Sequence, residues 1–344
     1  MLPPPRRVQP RENWLDWART FAIISIVFCH TTEAVFQLNI HGYNQASQID
    51  KILGLTFFTF GRLGVPVFLF LTGYLVISRC SCCGLKDVIS FIKRRWLPLF
   101  MCYEIWIILY DIFIYVFHDN YFAWHNQTLK VFFYEIILKA QPPMPHLWYM
   151  PMIVVMYLAI PAVALIKDRL GEKAFYLAFA ALIALSFRSS NASYLTYICF
   201  GYICYDLNIK HASAKNLLIL LALAIAAVAY VVAMQVGDYE RGMVHNVWYT
   251  EKPLMYATAA LFPCFALLNK FRLTAVEELS KSAFAIYLLH FPCMLFILNP
   301  IKGLGLTSSI TAIVLFVCTF ALAYGVFRVV AINKPTAKRI FLYK

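Results

Sequence analysis

The sequence predicts an all-α integral membrane protein, a bundle of about ten transmembrane helices with both termini cytoplasmic. Three observations predict it. The chain is 62% hydrophobic and only 14% charged, against about 25% charged residues in soluble domains. Ten apolar segments, at 14–36, 54–78, 96–117, 147–166, 173–187, 192–207, 216–236, 253–269, 282–299 and 308–332, approach the roughly 20 residues a helix needs to cross a bilayer. Placing the N-terminus inside puts twenty of the thirty lysines and arginines, Arg6, Arg7 and Arg11 among them, on the cytoplasmic side and seven opposite. That bias is the one that sets membrane topology. An even number of crossings returns the C-terminus to the same side. A single domain is expected over 1–344, with short tails at 1–13 and 333–344.

The net charge of +13 does not point to nucleic acid. The basic residues sit in short clusters between apolar segments rather than in runs interleaved with exposed aromatics. Membrane lipids are the expected surroundings. The N-terminal PPPRRVQPRE is basic, but the helix after it contains Arg19 and no small-residue cleavage site, so that helix is expected to be retained. Most of the ten cysteines lie within apolar segments, as small buried hydrophobes do. Cys80, Cys82 and Cys83 share a short basic loop, but no second pair with zinc spacing follows. They read as reduced thiols, and no metal is called for.

The first segment, Trp14 to Phe36, carries Asp16, Arg19, His30 and Glu33, groups that are costly in hydrocarbon and usually face a polar path. Arg19 and His30 are eleven residues apart, hence on nearly one helix face and about 16 Å apart along the axis. Arginine grips phosphate bidentately. Histidine near neutrality takes a proton from a hydroxyl and returns it to a leaving group. Glu33, one turn beyond, is placed to orient His30. A purely structural ion-pair network is the alternative.

Before the third segment stands FIKRRWLPLF, where Lys93, Arg94 and Arg95 read as topology anchors or as a cationic mouth for a polyanionic cytosolic donor. Glu104 and Asp111 share one face of the third helix and read as partners for Arg19, Arg62 or the basic mouth, or as a proton relay. The fourth segment opens with PPMPHLWYM, which brings His146 and Trp148 to the outer mouth. Aromatic rings there anchor a helix at the interface or stack on a sugar. His290 lies near the middle of the ninth segment. Polar residues at the outer side, such as Asn39, His41, Asn126, Asp238 and His245, suit a sugar.

Together these residues resemble the acyltransferase-3 family of membrane-bound bacterial O-acyltransferases, over nearly the whole chain. Arg19 and His30 match its first-helix Arg and His. VPVFLFLTGYLV resembles its second-helix block with Thr72 in place of the usual Ser, and KRRWLP matches its basic cluster. HLWYMPMIVVMYLAIP and AIYLLH resemble its later blocks. The pattern is closest to the branch containing the enterobacterial common antigen O-acetyltransferase.

The resemblance implies a multi-pass protein of the inner membrane. Its reaction would move an acetyl or other short acyl group from cytoplasmic acyl-CoA to a hydroxyl of a surface polysaccharide or lipid-linked glycan precursor. Acetyl-CoA is then a co-substrate. His30 and Arg19 inherit the catalytic roles, with Glu33 beside them. Lys93, Arg94 and Arg95 inherit the CoA side, and His146, Trp148 and His290 are candidates for binding substrate. The acceptor and the oligomeric state are left open. A different reading of the same chain is a transporter or exporter of a glycan or lipid intermediate, with Glu104 and Asp111 coupling protons. The paired broken helices that mark many transporters are not evident.

Overall fold

The computed structural model describes residues 12–80, 82, 84–117 and 144–342. The expected positions Arg6, Arg7, Arg11, Cys83 and Asn126 lie outside them. The described residues form helices and no strand. In chain order these are α1 Asn13–Phe36, α2 Ile40–Gln45, α3 Gln48–Ile77, α4 Leu85–Phe113, α5 His146–Leu170 and α6 Glu172–Leu185. There follow α7 Ser190–Asp206, α8 Ala214–Glu240, α9 Lys252–Leu268, α10 Thr274–Lys302, α11 Ser308–Val330 and α12 Lys334–Phe341.

Seven of these, α1, α3, α4, α5, α8, α10 and α11, are long and apolar enough to cross a membrane. The fifth, sixth and eighth sequence segments fold as the shorter helices α6, α7 and α9. Residues 186–189 separate α6 from α7, the rest of the polar FRSSNAS stretch forming the first turn of α7, and the Ser189 side chain caps α7 by accepting from the Ala192 amide.

Of the seven, α3 is the most enclosed, with 78% of its apolar window buried, and α8 the least, with 17%. Hence α3 is central and α8 peripheral. The outward face of α8 carries Leu218, Ile219, Leu223 and Ile225, as a lipid-facing surface requires. Helix α1 packs against α3, α10 and α11, so its polar residues look inward.

Where α3 crosses α7, glycine is obligatory on both sides. A Cβ on Gly73 would run into the Ile198 carbonyl, and one on Gly201 into the Phe70 carbonyl. Small residues of this kind let membrane helices touch backbone to backbone, where dispersion replaces the missing hydrophobic drive. From the crossing onward α3 ends in a π-helical turn, Gly73–Ile77; a similar turn lies within α4 at Ile92–Trp96 and another closes α5 at Ile166–Leu170.

The tail expected at 333–344 contains α12. Its Asn333 cap accepts from the Thr336 amide, Ala337 and Phe341 are buried, and Lys338 and Arg339 face out. The indole of Trp106 on α4 donates to the Ile340 carbonyl at 2.8 Å and docks the helix end on the bundle. Cys80 and Cys82 are free thiols, with sulfurs 3.4 Å apart.

Candidate active site: three imidazoles above an aromatic pocket

Three helices each contribute one histidine to a common point. His30 comes from α1, His146 from the tight first turn of α5, and His290 from the middle of α10. The His30 and His290 rings stack at 5.3 Å, His146 meets His290 edge-on at 5.1 Å, and His30 and His146 are 6.3 Å apart. Phe291 lies flat on His146 at 4.6 Å and closes one side.

Hydrogen bonding fixes which nitrogen of each ring is free. His290 Nδ1 lies 2.6 Å from the Tyr287 carbonyl, a group that only accepts, so Nδ1 carries the hydrogen and Nε2 is a bare acceptor. Tyr110 donates its hydroxyl to the Leu288 carbonyl at 2.5 Å and lies 3.0 Å from His146 Nε2. With that hydrogen spent on the carbonyl, Nε2 must donate to Tyr110, and Nδ1 of His146 is bare. Both bare nitrogens are buried and without a hydrogen-bond partner among the described residues. His30 Nδ1 faces Glu33 Oε2 at 3.0 Å. It carries a hydrogen there, which leaves Nε2 as the basic lone pair. A buried acceptor left unpaired costs about 1–3 kcal/mol, so this cluster is a feature that stability alone would not retain.

Glu33 uses its second oxygen as well: Arg62 Nη2 on α3 donates to Oε1 at 2.6 Å. The Arg62 guanidinium lies over the rings of Phe58, Trp248 and Tyr249 at 4.5, 4.7 and 4.8 Å. Sequence reasoning left Arg62 without a role beyond a choice of partners. Its signal was nevertheless present, as an arginine inside an apolar helix. Glu104 and Asp111 are not its partners; Glu33 is.

On one side of the imidazoles lies a cavity of about 380 Å³, lined among others by Phe68, Thr72, Tyr149, Tyr157, Lys281 and Tyr287. Phe341 and Leu342, at the end of α12, complete its wall. Tyr287 belongs to both compartments. Its hydroxyl donates to the His146 carbonyl at 2.8 Å, and its ring lies 6.0 Å from both His146 and His290. One layer of aromatic rings separates the cavity from the histidines, with Tyr149 packed on Tyr287 at 5.7 Å.

The remaining expected residues stand elsewhere. Lys93, Arg94 and Arg95 are exposed on the π-helical turn of α4. Trp96 pins that turn to α5 by donating to the Val154 carbonyl at 3.0 Å. Arg95 is within coulombic reach of Tyr157 in the cavity wall. Arg19 does not join the histidines. It bonds Asp16 at 3.2 Å, and Ser280 donates to the same carboxylate at 2.7 Å, beside Lys281 of the cavity wall. Trp148 stacks on Tyr249 at 5.1 Å and touches Trp248, in the aromatic group around Arg62. No group of three His, Cys, Asp or Glu side chains among the described residues is arranged to hold a metal ion.

Outside the membrane-spanning helices, His245 is held between two carboxylates. Its Nδ1 is 2.6 Å from Asp238 and its Nε2 is 3.0 Å from Glu251. Burial alone would lower its pKa, but the hydrogen bonds and charges of Asp238 and Glu251 outweigh it and raise the pKa above the usual value. This clasp closes the connection between α8 and α9 that presents Trp248 and Tyr249.

Comparison with known proteins agrees with this architecture. The acyltransferase-3 family model, described as an acyltransferase domain, matches residues 12–328. No curated protein and no solved structure matched the chain. The matched stretch contains α1 to α11 almost entire, with all three histidines, Glu33, Arg62 and most of the cavity wall. The chain therefore belongs to the acyltransferase-3 family, as a multi-pass membrane acyltransferase.

Proposed function

We propose that this protein is an O-acyltransferase that moves an acetyl or other short acyl group from cytoplasmic acyl-CoA to a hydroxyl of a surface polysaccharide or lipid-linked glycan precursor. In this reading the shorter helices bring the crossings to ten, both termini are cytoplasmic, and the protein sits in the inner membrane. Within the family it belongs with the enterobacterial common antigen O-acetyltransferase branch.

One observation carries the reading. An exposed cationic turn, an aromatic cavity and a cluster of bare imidazole nitrogens follow one another through the bundle. That order matches an acyl-CoA from end to end. Arg95, with Lys93 and Arg94, meets the phosphates. The cavity is within the roughly 300–1,000 Å³ range of ligand sites and receives the pantetheine arm. Arg19, paired with Asp16, stands on the Lys281 side of the same half, where its guanidinium can also meet the donor's phosphates.

The thioester carbonyl then comes to His30. Nε2 of His30 takes the proton of the acceptor hydroxyl as its oxygen bonds to the carbonyl carbon. The C–S bond breaks, and the imidazolium returns the proton to the departing thiolate. His146, His290 and Trp148 line the approach of the acceptor.

Acetyl-CoA binding to the purified protein tests the donor side. Wild type should bind and Arg95→Ala should bind about 10- to 100-fold more weakly, in line with the loss of one charge-assisted phosphate contact worth about 1.5–3 kcal/mol. Absence of binding by folded wild type would overturn the proposal.

A further inference from the structure

Glu33 is unusual in that each carboxylate oxygen serves a different helix. Oε2 meets His30 on its own helix at 3.0 Å, and Oε1 accepts from Arg62 on α3 at 2.6 Å. A carboxylate bonded through one oxygen pivots freely; bonded through both, it cannot turn without breaking one of them. The plane of Glu33 therefore transmits the position of Arg62 to the imidazole of His30.

Arg62 in turn has little freedom. Its side chain is 7% exposed, against 35% for Glu33. Three aromatic faces surround its guanidinium, one from α3 itself and two from the connection between α8 and α9. The α3 backbone beside it is seated on α1, where a Cβ on Gly61 would fall 2.5 Å from the Cys29 Cβ. Buried ion pairs contribute little net stability, because desolvation offsets the attraction. A hydrophobic pair would fill this position at least as stably, so what the arrangement supplies is orientation.

We infer that Arg62, clamped by Phe58, Trp248 and Tyr249, is a positioning residue that locks Glu33 and thereby holds His30 with Nδ1 protonated and Nε2 free for the acceptor hydroxyl. The inference rests on the proposed acyl transfer and adds to it a third member of the His30–Glu33 pair and a role for the α8–α9 connection. Arg62 touches no substrate in this scheme; it acts through Glu33.

The test uses the full-length purified protein, acetyl-CoA as donor and detergent-solubilised lipid-linked glycans from bacterial envelopes as acceptor. R62Q should lower kcat about 100-fold, the scale of a general base losing its alignment, while the KM for acetyl-CoA stays within twofold of wild type. R62K, which keeps the charge without the planar fork, should recover part of kcat. E33Q and the double variant E33Q/R62Q should have equal kcat, because Arg62 works only through Glu33. A wild-type kcat in R62Q, a rise in KM without a fall in kcat, or losses that multiply in the double variant would each overturn the inference. Absence of transfer by wild type itself would instead overturn the proposed acyl transfer, so the two failures are distinguishable.

Discussion

For His30, the bond made by one ring nitrogen decides the chemistry of the other. With Nδ1 held by Glu33, Nε2 has the lone pair and can act as a base. His30→Ala should lower transfer about 1,000-fold, within the usual contribution of a positioned base, while acetyl-CoA binding and the yield of folded protein stay unchanged. Transfer at wild-type rate would remove His30 from the mechanism. His30 and Glu33 were legible in the sequence because two costly groups one turn apart in an apolar helix invite a joint role. His290 and His146 were individually ambiguous. A lone histidine in an apolar segment is equally well a satisfied core residue, and only the packing of α1, α5 and α10 brings the rings within 6.3 Å. Arg62 was illegible for the same reason, since its partner is chosen across helices. Arg19 shows the converse: its Asp16 contact is local, three residues away, and was foreseen as the structural alternative.

Elements are held by close backbone approach at particular crossings as well as by apolar burial. The crossing of α3 with α7 depends on Gly73 and Gly201 each facing a carbonyl of the other helix. Gly201→Val should force these helices apart, at the cost of about 1–3 kcal/mol or more that overpacking brings. The thermal transition of the detergent-solubilised protein should fall clearly; an unchanged transition would show that the crossing can relax. Hydropathy located a helix in each of the ten segments, the fifth and sixth already as short stretches, because apolar composition marks any helix that meets lipid or core, whatever its length. Helix α12 was invisible to it. Eight residues with Lys338 and Arg339 outward read as a polar tail, although Ala337 and Phe341 turn to the bundle.

For the whole molecule, the proposed orientation is testable from outside the cell. Cysteine placed at Lys302, the last residue of α10 and at its outer end in the proposed orientation, should react with a membrane-impermeant maleimide in intact cells. Cysteine at Lys210, between α7 and α8, should react only after the membrane is opened. The reverse pattern would invert the topology, and with it the side from which the donor enters. The charge count carried this expectation by itself, since no single helix declares its direction.

The tyrosine layer between cavity and histidines has a consequence of another kind. Two water-accessible hollows that meet inside a membrane are a leak, and a leak dissipates the ion gradients a cell lives on. Here Tyr149 and Tyr287 stand between the cavity and the histidines as a packed septum one ring thick. Moving one elementary charge across a membrane is worth about 2.3 kcal/mol per 100 mV, and in the proposed orientation the septum lies on that path. In the proposed transfer the end that reaches His30 is an uncharged thioester, on which the field does no work. In the proposed reaction the septum would separate what is passed from what must be refused, by charge instead of size.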